Sequence, residues 1–543
     1  MKFLLRLTIV AVCAVIVITG CEGQEDSLVD ARLENNPVPD MSVTATQGNA
    51  DFTKYVAIGN SLTAGLMDGA LYNDGQEQSI GNLLASRLKI AVENDGDSFD
   101  SFDQPDINSE NGFNLVVPNP DPETNTVLGR FKLDTSIPGP VPTQGEPIAP
   151  FTGDKSALNN FGVPGIVVGQ LLTPATGGPQ SPQNPAFNPL YQRFASDPGN
   201  STILGDAIAA QPTFFTLWIG SNDVLGYALS GAANPNLLTS QTDFQNQFNA
   251  AVGNLMANTS ADGLVANIPP ILGLPVFRAV SYDAITLDET TAQQLNQGFA
   301  GFNAALDAIV ANLGHDADDA DRRRVSYSAG NNPILVIDET LEDLGPKFDQ
   351  LQAAGAISAQ QRAQLVPYEQ ARPLNQGELV LLNAGSLLGT EADGDDSTED
   401  TPIGVVIPLG YNLSDGSLNG DQYYLTLAEQ QTIQSRTAAF NTVIAQAVNS
   451  NSDRLALYNT NDPQGVLFDI FGLDGSAPGI TVEGITLQPD FSPNGVFSTD
   501  GVHPNPRGNA LLVNEMIEAI ESKFGSDIPD ADVLNLPSVV LAQ

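Results

Sequence analysis

The chain contains two histidines, so few residues can be considered for proton transfer near neutral pH. His315 lies in the charged segment NLGHDADDADRRR, where we expect a solvated side chain at a helix end. His503 lies in the turn-like segment STDGVHPNPRG, three residues after Asp500. In a tight turn, this spacing lets the carboxylate contact Nδ1 of the imidazole while Nε2 accepts a proton. A capping aspartate beside a turn histidine has the same pattern, so this pair alone is a weak signal.

A serine hydroxyl becomes a nucleophile when a base takes its proton and nearby donors stabilise the oxyanion that forms. Ser61 directly follows the apolar run YVAIG and one asparagine. Gly165 lies in NNFGVPG, and Asn222 follows the apolar run FFTLWIGS. Because the carboxyl ends of strands in an α/β sheet meet at one crevice, we expect these residues to lie near Asp500 and His503. Taken singly, they are equally well explained as a turn or capping serine, a packing glycine and a turn asparagine.

The elements that must position these residues alternate between short apolar runs and amphipathic segments, which is typical of a layered α/β fold. The runs KYVAIG, FFTLWIGSND and GLVANIPP predict buried strands. Apolar spacing predicts a helix packed on a sheet over 295–313 and a last helix over 506–524. Thr426 and Glu429 form a predicted capping box at the start of another helix.

We interpret residues 51–525 as one domain that carries three insertions rich in turn-forming or acidic residues. The insertions lie near 92–157, 174–200 and 315–422, and residues 526–543 form a C-terminal tail. No independent unit of the alternating pattern begins within them. The sequence therefore predicts a decorated single domain.

The third insertion raises two further hypotheses. Its acidic run at 391–400 does not match the spacing of an EF-hand loop, so we expect a solvated loop instead of a calcium site. Phe348, Leu351, Leu365 and Val366 are candidates for an apolar flap over the crevice. The alternative for these four residues is a peripheral pair of helices.

The N-terminus has the pattern of an export signal, since Lys2 and Arg6 precede a short apolar run that ends in ITGC. This box resembles the processing site of bacterial lipoproteins, which implies a signal peptide over 1–20 and lipid on Cys21. The polar, acidic residues 21–50 then form a flexible tether. An uncleaved anchor and ordinary secretion are the alternatives.

We expect the protein in the bacterial cell envelope, attached to a membrane through lipid on Cys21. Gly23 lies where some bacteria have an aspartate that retains lipoproteins at the inner membrane, which favours the outer membrane or cell surface.

The chain carries 64 acidic against 21 basic residues and a net charge of -43, which repels phosphates. Nucleic acid is therefore not an expected partner. A phosphate-binding G-K-[ST] loop and clustered Cys/His metal ligands are also missing from the sequence, so we expect no cofactor and no metal.

Four segments, in chain order, resemble the sequence blocks of the SGNH hydrolase superfamily, the GDSL-type esterases and lipases. They are GNSL at 59–62, NFGVPG at 160–165, GSND at 220–223 and DGVH at 500–503. The resemblance implies a flavodoxin-like, three-layer α/β/α sandwich with a central, mainly parallel sheet.

The same resemblance implies roles for individual residues. Ser61 would attack an ester carbonyl, His503 would act as general base and then general acid, and Asp500 would orient His503. The oxyanion would be held by the backbone N–H groups of Ser61 and Gly165 and by the side chain of Asn222. The implied activity is a carboxylic ester hydrolase without cofactor or metal, with an acyl lipid, a small ester or an acetylated glycan as substrate.

The chain departs from the family pattern at Asn60, where an aspartate usually precedes the serine. Because asparagine keeps an acceptor oxygen that can hold the turn, we expect activity to be retained. A polysaccharide O-deacetylase of the same fold is one alternative function. A catalytically silent surface protein that uses the fold for binding is the other.

Overall fold

The structure is a computed structural model, and it describes residues 45–122, 124–133, 139–394, 400–472 and 477–539. The predicted signal peptide, the lipid on Cys21 and most of the tether lie outside these ranges, as does half of the acidic run. Residues from Thr46 onward form one compact unit. None of the helices in the described ranges is long and apolar enough to cross a membrane.

A five-stranded parallel sheet lies at the centre of the unit, with strand order β5-β4-β3-β1-β2. Its strands are β1 (Tyr55–Gly59), β2 (Asn160–Gly162), β3 (Phe214–Trp218), β4 (Asp262–Ala266) and β5 (Leu455–Tyr458). β1 and β3 are near-continuous apolar runs, and every residue in them is buried. Such runs are typical of parallel strands covered on both faces.

The helices begin and end largely at capping signals. Asn60, Ser79, Ser240, Thr426 and Asn505 each accept a backbone N–H of the helix that follows, and the predicted capping box at Thr426 is confirmed. The α-helices of the described ranges are α1 (Ser61–Ala64), α2 (Asn73–Glu77), α3 (Ile80–Asn94), α4 (Pro189–Gln192), α5 (Ile203–Ala209), α6 (Asn222–Leu229), α7 (Gln241–Asn258), α8 (Glu289–Leu313), α9 (Ala317–Arg323), α10 (Gly345–Ala353), α11 (Ala359–Leu365), α12 (Leu427–Asn449), α13 (Val466–Phe471) and α14 (Pro506–Phe524).

Helices cover both faces of the sheet because side chains alternate along each strand. Val56 of β1 belongs to the core that Phe248 of α7 and Ile444 of α12 complete on one face. On the other face, Phe214 of β3 meets Phe524 of α14 with ring centroids 5.8 Å apart. The predicted α/β class and three-layer α/β/α arrangement are therefore confirmed.

Short antiparallel strand pairs decorate this sandwich. The first pair covers the Asp68–Gly69 turn, because the ring of Phe131 packs against Gly69. The pairs are Leu128–Leu133 with Pro140–Gln144, Ile285–Leu287 with Gly330–Asn332, Leu335–Ile337 with Ala371–Pro373, Leu379–Val380 with Tyr424–Leu425, and Ile480–Val482 with Ile485–Leu487.

A second hydrophobic core is built from residues between positions 285 and 424 of the chain. The predicted helix over 295–313 forms as α8, but its buried residues Phe299 and Phe302 pack into this second core. The predicted helix therefore packs into the second core and not against the five-stranded sheet. Periodicity identifies a buried helix face but not the element that covers it.

The flap hypothesis is also wrong. Phe348, Leu351 and Leu365 are buried in the second core, at the paired helices α10 and α11. Val366 is exposed, and none of the four lines the cavity beside Ser61. Because three of the four are buried within the insertion and none lines the cavity, the alternative of a peripheral helical pair describes them better.

The chain ends of the unit pair with each other. Thr46 and Asp527 exchange backbone hydrogen bonds of 2.8 and 2.9 Å. Ile528 and Ala531 are buried. Thus the last residues assigned to the tether and the first of the C-terminal tail pack with the domain.

Candidate active site

Ser61 is held in a tight turn at the carboxyl end of β1. The strand ends at Gly59, where an added Cβ would lie 2.5 Å from the carbonyl oxygen of Trp218. Oδ1 of Asn60 then accepts the backbone N–H of Leu62 at 3.2 Å, and Ser61 begins α1. This cap fixes the serine at the rim of the sheet.

The turn before α14 holds the candidate acid and base. Oδ1 of Asp500 accepts the backbone N–H groups of Val502 and His503, each at 2.9 Å. The carbonyl of His503 accepts the N–H of Ser498 at 2.8 Å, which closes the turn. The imidazole is thereby directed at the second carboxylate oxygen, and Nδ1 of His503 lies 2.8 Å from Oδ2 of Asp500.

The same imidazole reaches the serine. Nε2 of His503 lies 2.8 Å from Oγ of Ser61, although the two residues are 442 positions apart in sequence. The structure therefore brings Ser61, His503 and Asp500 into one hydrogen-bonded chain. Hydroxyl, imidazole and carboxylate in this order can transfer the serine proton to Nε2.

Asp500 is a buried carboxylate whose charge is well compensated. Burial alone would raise its pKa, but the charge and hydrogen bond of His503 and the backbone N–H groups of the turn lower the pKa to about 2. Asp500 is thus ionised at any pH near neutrality. An ionised acceptor at Nδ1 fixes the imidazole tautomer that leaves Nε2 able to take a proton.

Asn222 and Gly165 lie at the neighbouring strand ends. Asn222 begins α6 and lines the same cavity as Ser61 and His503. Its Nδ2 donates to the carbonyl of Ile166 at 2.9 Å, and an amide nitrogen carries a second hydrogen. Gly165, next to Ile166, has a φ of +79° and no heavy atom within 4 Å of the position of an added Cβ. Its backbone N–H lies in a segment that a substrate can approach without a side chain in the way.

Asp223 holds this segment through a hydrogen bond to its backbone. Its carboxylate is fully buried, and Oδ2 accepts the backbone N–H of Val168 at 3.0 Å. Burial raises the pKa of Asp223 to about 6, against the lowering effect of the hydrogen bond from Val168. The carboxylate is therefore costly to ionise where it stands.

Sequence reasoning missed a further buried carboxylate, Asp68, beside the triad. Its Oδ1 accepts the N–H and the hydroxyl of Thr499 at 3.0 and 2.7 Å, and its Oδ2 accepts the hydroxyl of Tyr72 at 2.7 Å. Burial and the nearby charge of Asp500 raise its pKa, against hydrogen bonds that lower it. Its backbone has a φ of +55°. The adjacent Asp68-Gly69 pair was the one local signal, since it marks a turn.

A cavity of about 60 Å³ opens beside Ser61. Two buried polar atoms of residues in its lining, Nε1 of Trp218 and Oγ of Ser221, have no hydrogen-bond partner within the described ranges. Most of the lining is apolar, comprising Leu62, Leu225, Pro269, Ile271, Leu274, Leu467, Phe471, Phe497, Val502, Pro504 and Leu512. The cavity is suited to a small, largely hydrocarbon group.

His315 lies in the second core region instead of the site, and the expectation that it is solvated is wrong. Its side chain is 3% exposed. Nε2 lies 2.9 Å from Oδ2 of Asp319, and Nδ1 lies 2.8 Å from Nζ of Lys347. These contacts hold His315 within the insertion, and it does not line the cavity beside Ser61.

The described ranges contain no group of three or more His, Cys, Asp or Glu side chains placed to hold a metal ion. No family model, functionally curated protein or solved structure matches the chain.

Proposed function

We propose that the protein is a serine hydrolase that cleaves carboxylic esters. The observation that carries this proposal is the hydrogen-bonded chain from Oγ of Ser61 through His503 to Asp500, with both links at 2.8 Å. These three hydrogen-bonded side chains lie at the carboxyl end of a parallel sheet, beside an apolar cavity. Crevices at this edge of α/β sheets are where ligands bind.

In the first half of the reaction, Oγ of Ser61 bonds to the ester carbonyl carbon while its proton passes to Nε2 of His503. The carbonyl oxygen becomes negative and is held by the N–H groups of Ser61 and Gly165 and by the amide of Asn222. The carbon–oxygen bond to the alcohol then breaks, and His503 gives its proton to the departing oxygen. The product of this half is an acyl-serine.

In the second half, a water molecule gives a proton to His503 and adds to the acyl carbon. The bond to Oγ of Ser61 breaks, and the serine recovers its proton from Nε2. Asp500 remains ionised throughout and stabilises the imidazolium that forms in each half. No cofactor enters this scheme. The lipid on Cys21 and an envelope location are proposals from the sequence pattern alone.

Labelling with a fluorophosphonate tests the proposal, because the reagent captures an activated serine covalently. We expect the native protein to be labelled and to hydrolyse p-nitrophenyl acetate. Ser61→Ala should lose both activities, with a fall in kcat of about a thousandfold or more. Ser86→Ala, an exposed serine on α3, is the matched control and should keep both. A folded native protein that is neither labelled nor active would favour the binding protein instead.

A further inference from the structure

A second cavity, of about 600 Å³, adjoins the one beside Ser61. The two cavities share three lining residues, Ile271, Leu467 and Phe471. The larger cavity is therefore separated from the serine by side chains of α13 and of the segment after β4. Which part of a substrate fits beside Ser61 depends on these side chains.

Phe471, the last residue of α13, is the bulkiest of the three and packs against two neighbours. Its ring stacks on Phe497 with centroids 5.8 Å apart and an interplanar angle of 26°. The ring also lies against Gly273, where an added Cβ would approach it to 2.9 Å. Phe471 is 8% exposed. The ring thus forms a packed partition between the two cavities.

The volume on the serine side limits what can enter. The cavity beside Ser61, at about 60 Å³, is far smaller than its neighbour, at about 600 Å³. Its mostly apolar lining fits the acyl chain of an ester better than an alcohol with hydroxyl groups. An acetyl or propionyl group suits so small a space, and the Phe471 ring lies where a chain that extended into the larger cavity would pass.

We infer that Phe471 restricts the acyl group of the substrate to short chains, so that the natural ester is of the acetyl or propionyl type. This inference rests on the proposed ester hydrolysis. Removing the ring joins the small cavity to the large one and extends the space available to an acyl chain. Phe468 provides a matched control, since it lies on the same helix but lines only the large cavity.

The test is a series of p-nitrophenyl esters from acetate to decanoate, with the alcohol held constant. The native protein should show kcat/KM at least about tenfold lower for octanoate than for acetate. Phe471→Ala should raise the ratio of octanoate to acetate by about tenfold or more, and Phe468→Ala should leave this ratio within about threefold of native. Phe471→Leu, which removes less volume, provides a second variant if the alanine protein unfolds.

Equal rates of the native protein on acetate and octanoate would overturn the inference, as would an equal effect of Phe471→Ala and Phe468→Ala. A second series, alkyl acetates of increasing alcohol length, extends the test. A steep dependence on the alcohol with a flat dependence on the acyl chain would place the alcohol in the small cavity and also overturn it.

Fluorophosphonate labelling separates the two proposals: labelled protein with a flat acyl profile overturns the role of Phe471 alone. Unlabelled, inactive protein overturns the hydrolase proposal and the role of Phe471 with it.

Discussion

Gly69 donates its backbone N–H to Oδ2 of Asp500 at 2.9 Å, the same oxygen that accepts Nδ1 of His503 at 2.8 Å. The turn after α1 therefore contacts the acid of the triad directly, while α1 itself begins with the serine. Each oxygen of Asp500 accepts two hydrogen bonds. Substitutions at Asp500 and in this turn should consequently affect the same reaction step.

Asp500→Asn should lower kcat by about a thousandfold to ten-thousandfold. In either orientation, the asparagine NH₂ meets backbone N–H donors, those of Val502 and His503 on one side and that of Gly69 on the other. It also presents no charge to the imidazolium. Steady-state hydrolysis of p-nitrophenyl acetate measures the loss, and thermal melting establishes that the variant is folded. A fall of less than tenfold in folded protein would contradict the role of Asp500.

Asp68→Asn should lower kcat by about tenfold with KM unchanged, because one of the hydrogen bonds that position the Asp500 turn is lost. The asparagine cannot accept from both Thr499 and Tyr72 as the carboxylate does. Asp74→Asn, an exposed substitution on α2, is the control and should leave both constants unchanged. If Asp68→Asn changes only thermal stability, Asp68 supports the fold without positioning the triad.

Asn60→Ala should destabilise the protein by about 1 kcal/mol, since it removes the side-chain cap of α1. Asn60→Asp introduces the residue that usually stands here in the SGNH pattern that the chain resembles, and it keeps the acceptor oxygen. Stability should therefore stay close to native, and kcat/KM should stay within about tenfold of native. Urea unfolding and ester hydrolysis measure the two effects. A large loss of activity in Asn60→Asp would mean that the amide group, and not only its oxygen, is needed beside Ser61.

Asp223→Asn should change how stability depends on pH. The folded-state pKa of Asp223, about 6, lies above the unfolded value, so the native state binds more protons between about pH 4 and pH 6. The contribution of Asp223 to the free energy of unfolding therefore falls as pH rises through this window. A pKa shift of about two units corresponds to a fall of about 3 kcal/mol. The variant should lack this decline, and its stability relative to native should rise from pH 4 to pH 7.

Urea unfolding at a series of pH values checks this expectation, with Asp318→Asn as an exposed control on α9. The other carboxylates of this acidic chain cancel when variants are compared at the same pH. An unchanged difference between Asp223→Asn and native across the window would show that burial does not raise the pKa of Asp223.

Local sequence signals indicated much of the sandwich. β1 and β3 are apolar runs long enough to be buried on both faces, and α14 begins and ends as its apolar spacing and its Asn505 and Gly525 caps require. The spacing of Asp500 and His503 also sufficed to predict their contact, because both lie in one turn. These features depend on residues that are close in sequence.

Features that depend on distant packing were not predictable. The stripe of α8 is equally apolar whether the helix covers the main sheet or a second core, and only the fold of residues 285–424 decides between them. Asp68 likewise became recognisable only when the chain brought Thr499 to it, 431 residues further along. Its sequence neighbours indicate a turn and nothing more.

The long separation between Ser61 and His503 has a consequence for biosynthesis. A growing chain carries the hydroxyl of Ser61 first and gains the imidazole of His503 only 442 residues later. The edge strand β5 also arrives late, after the whole second core has been made. Since contacts this remote form slowly, the serine stays without its base until the turn before α14 has been made and has folded.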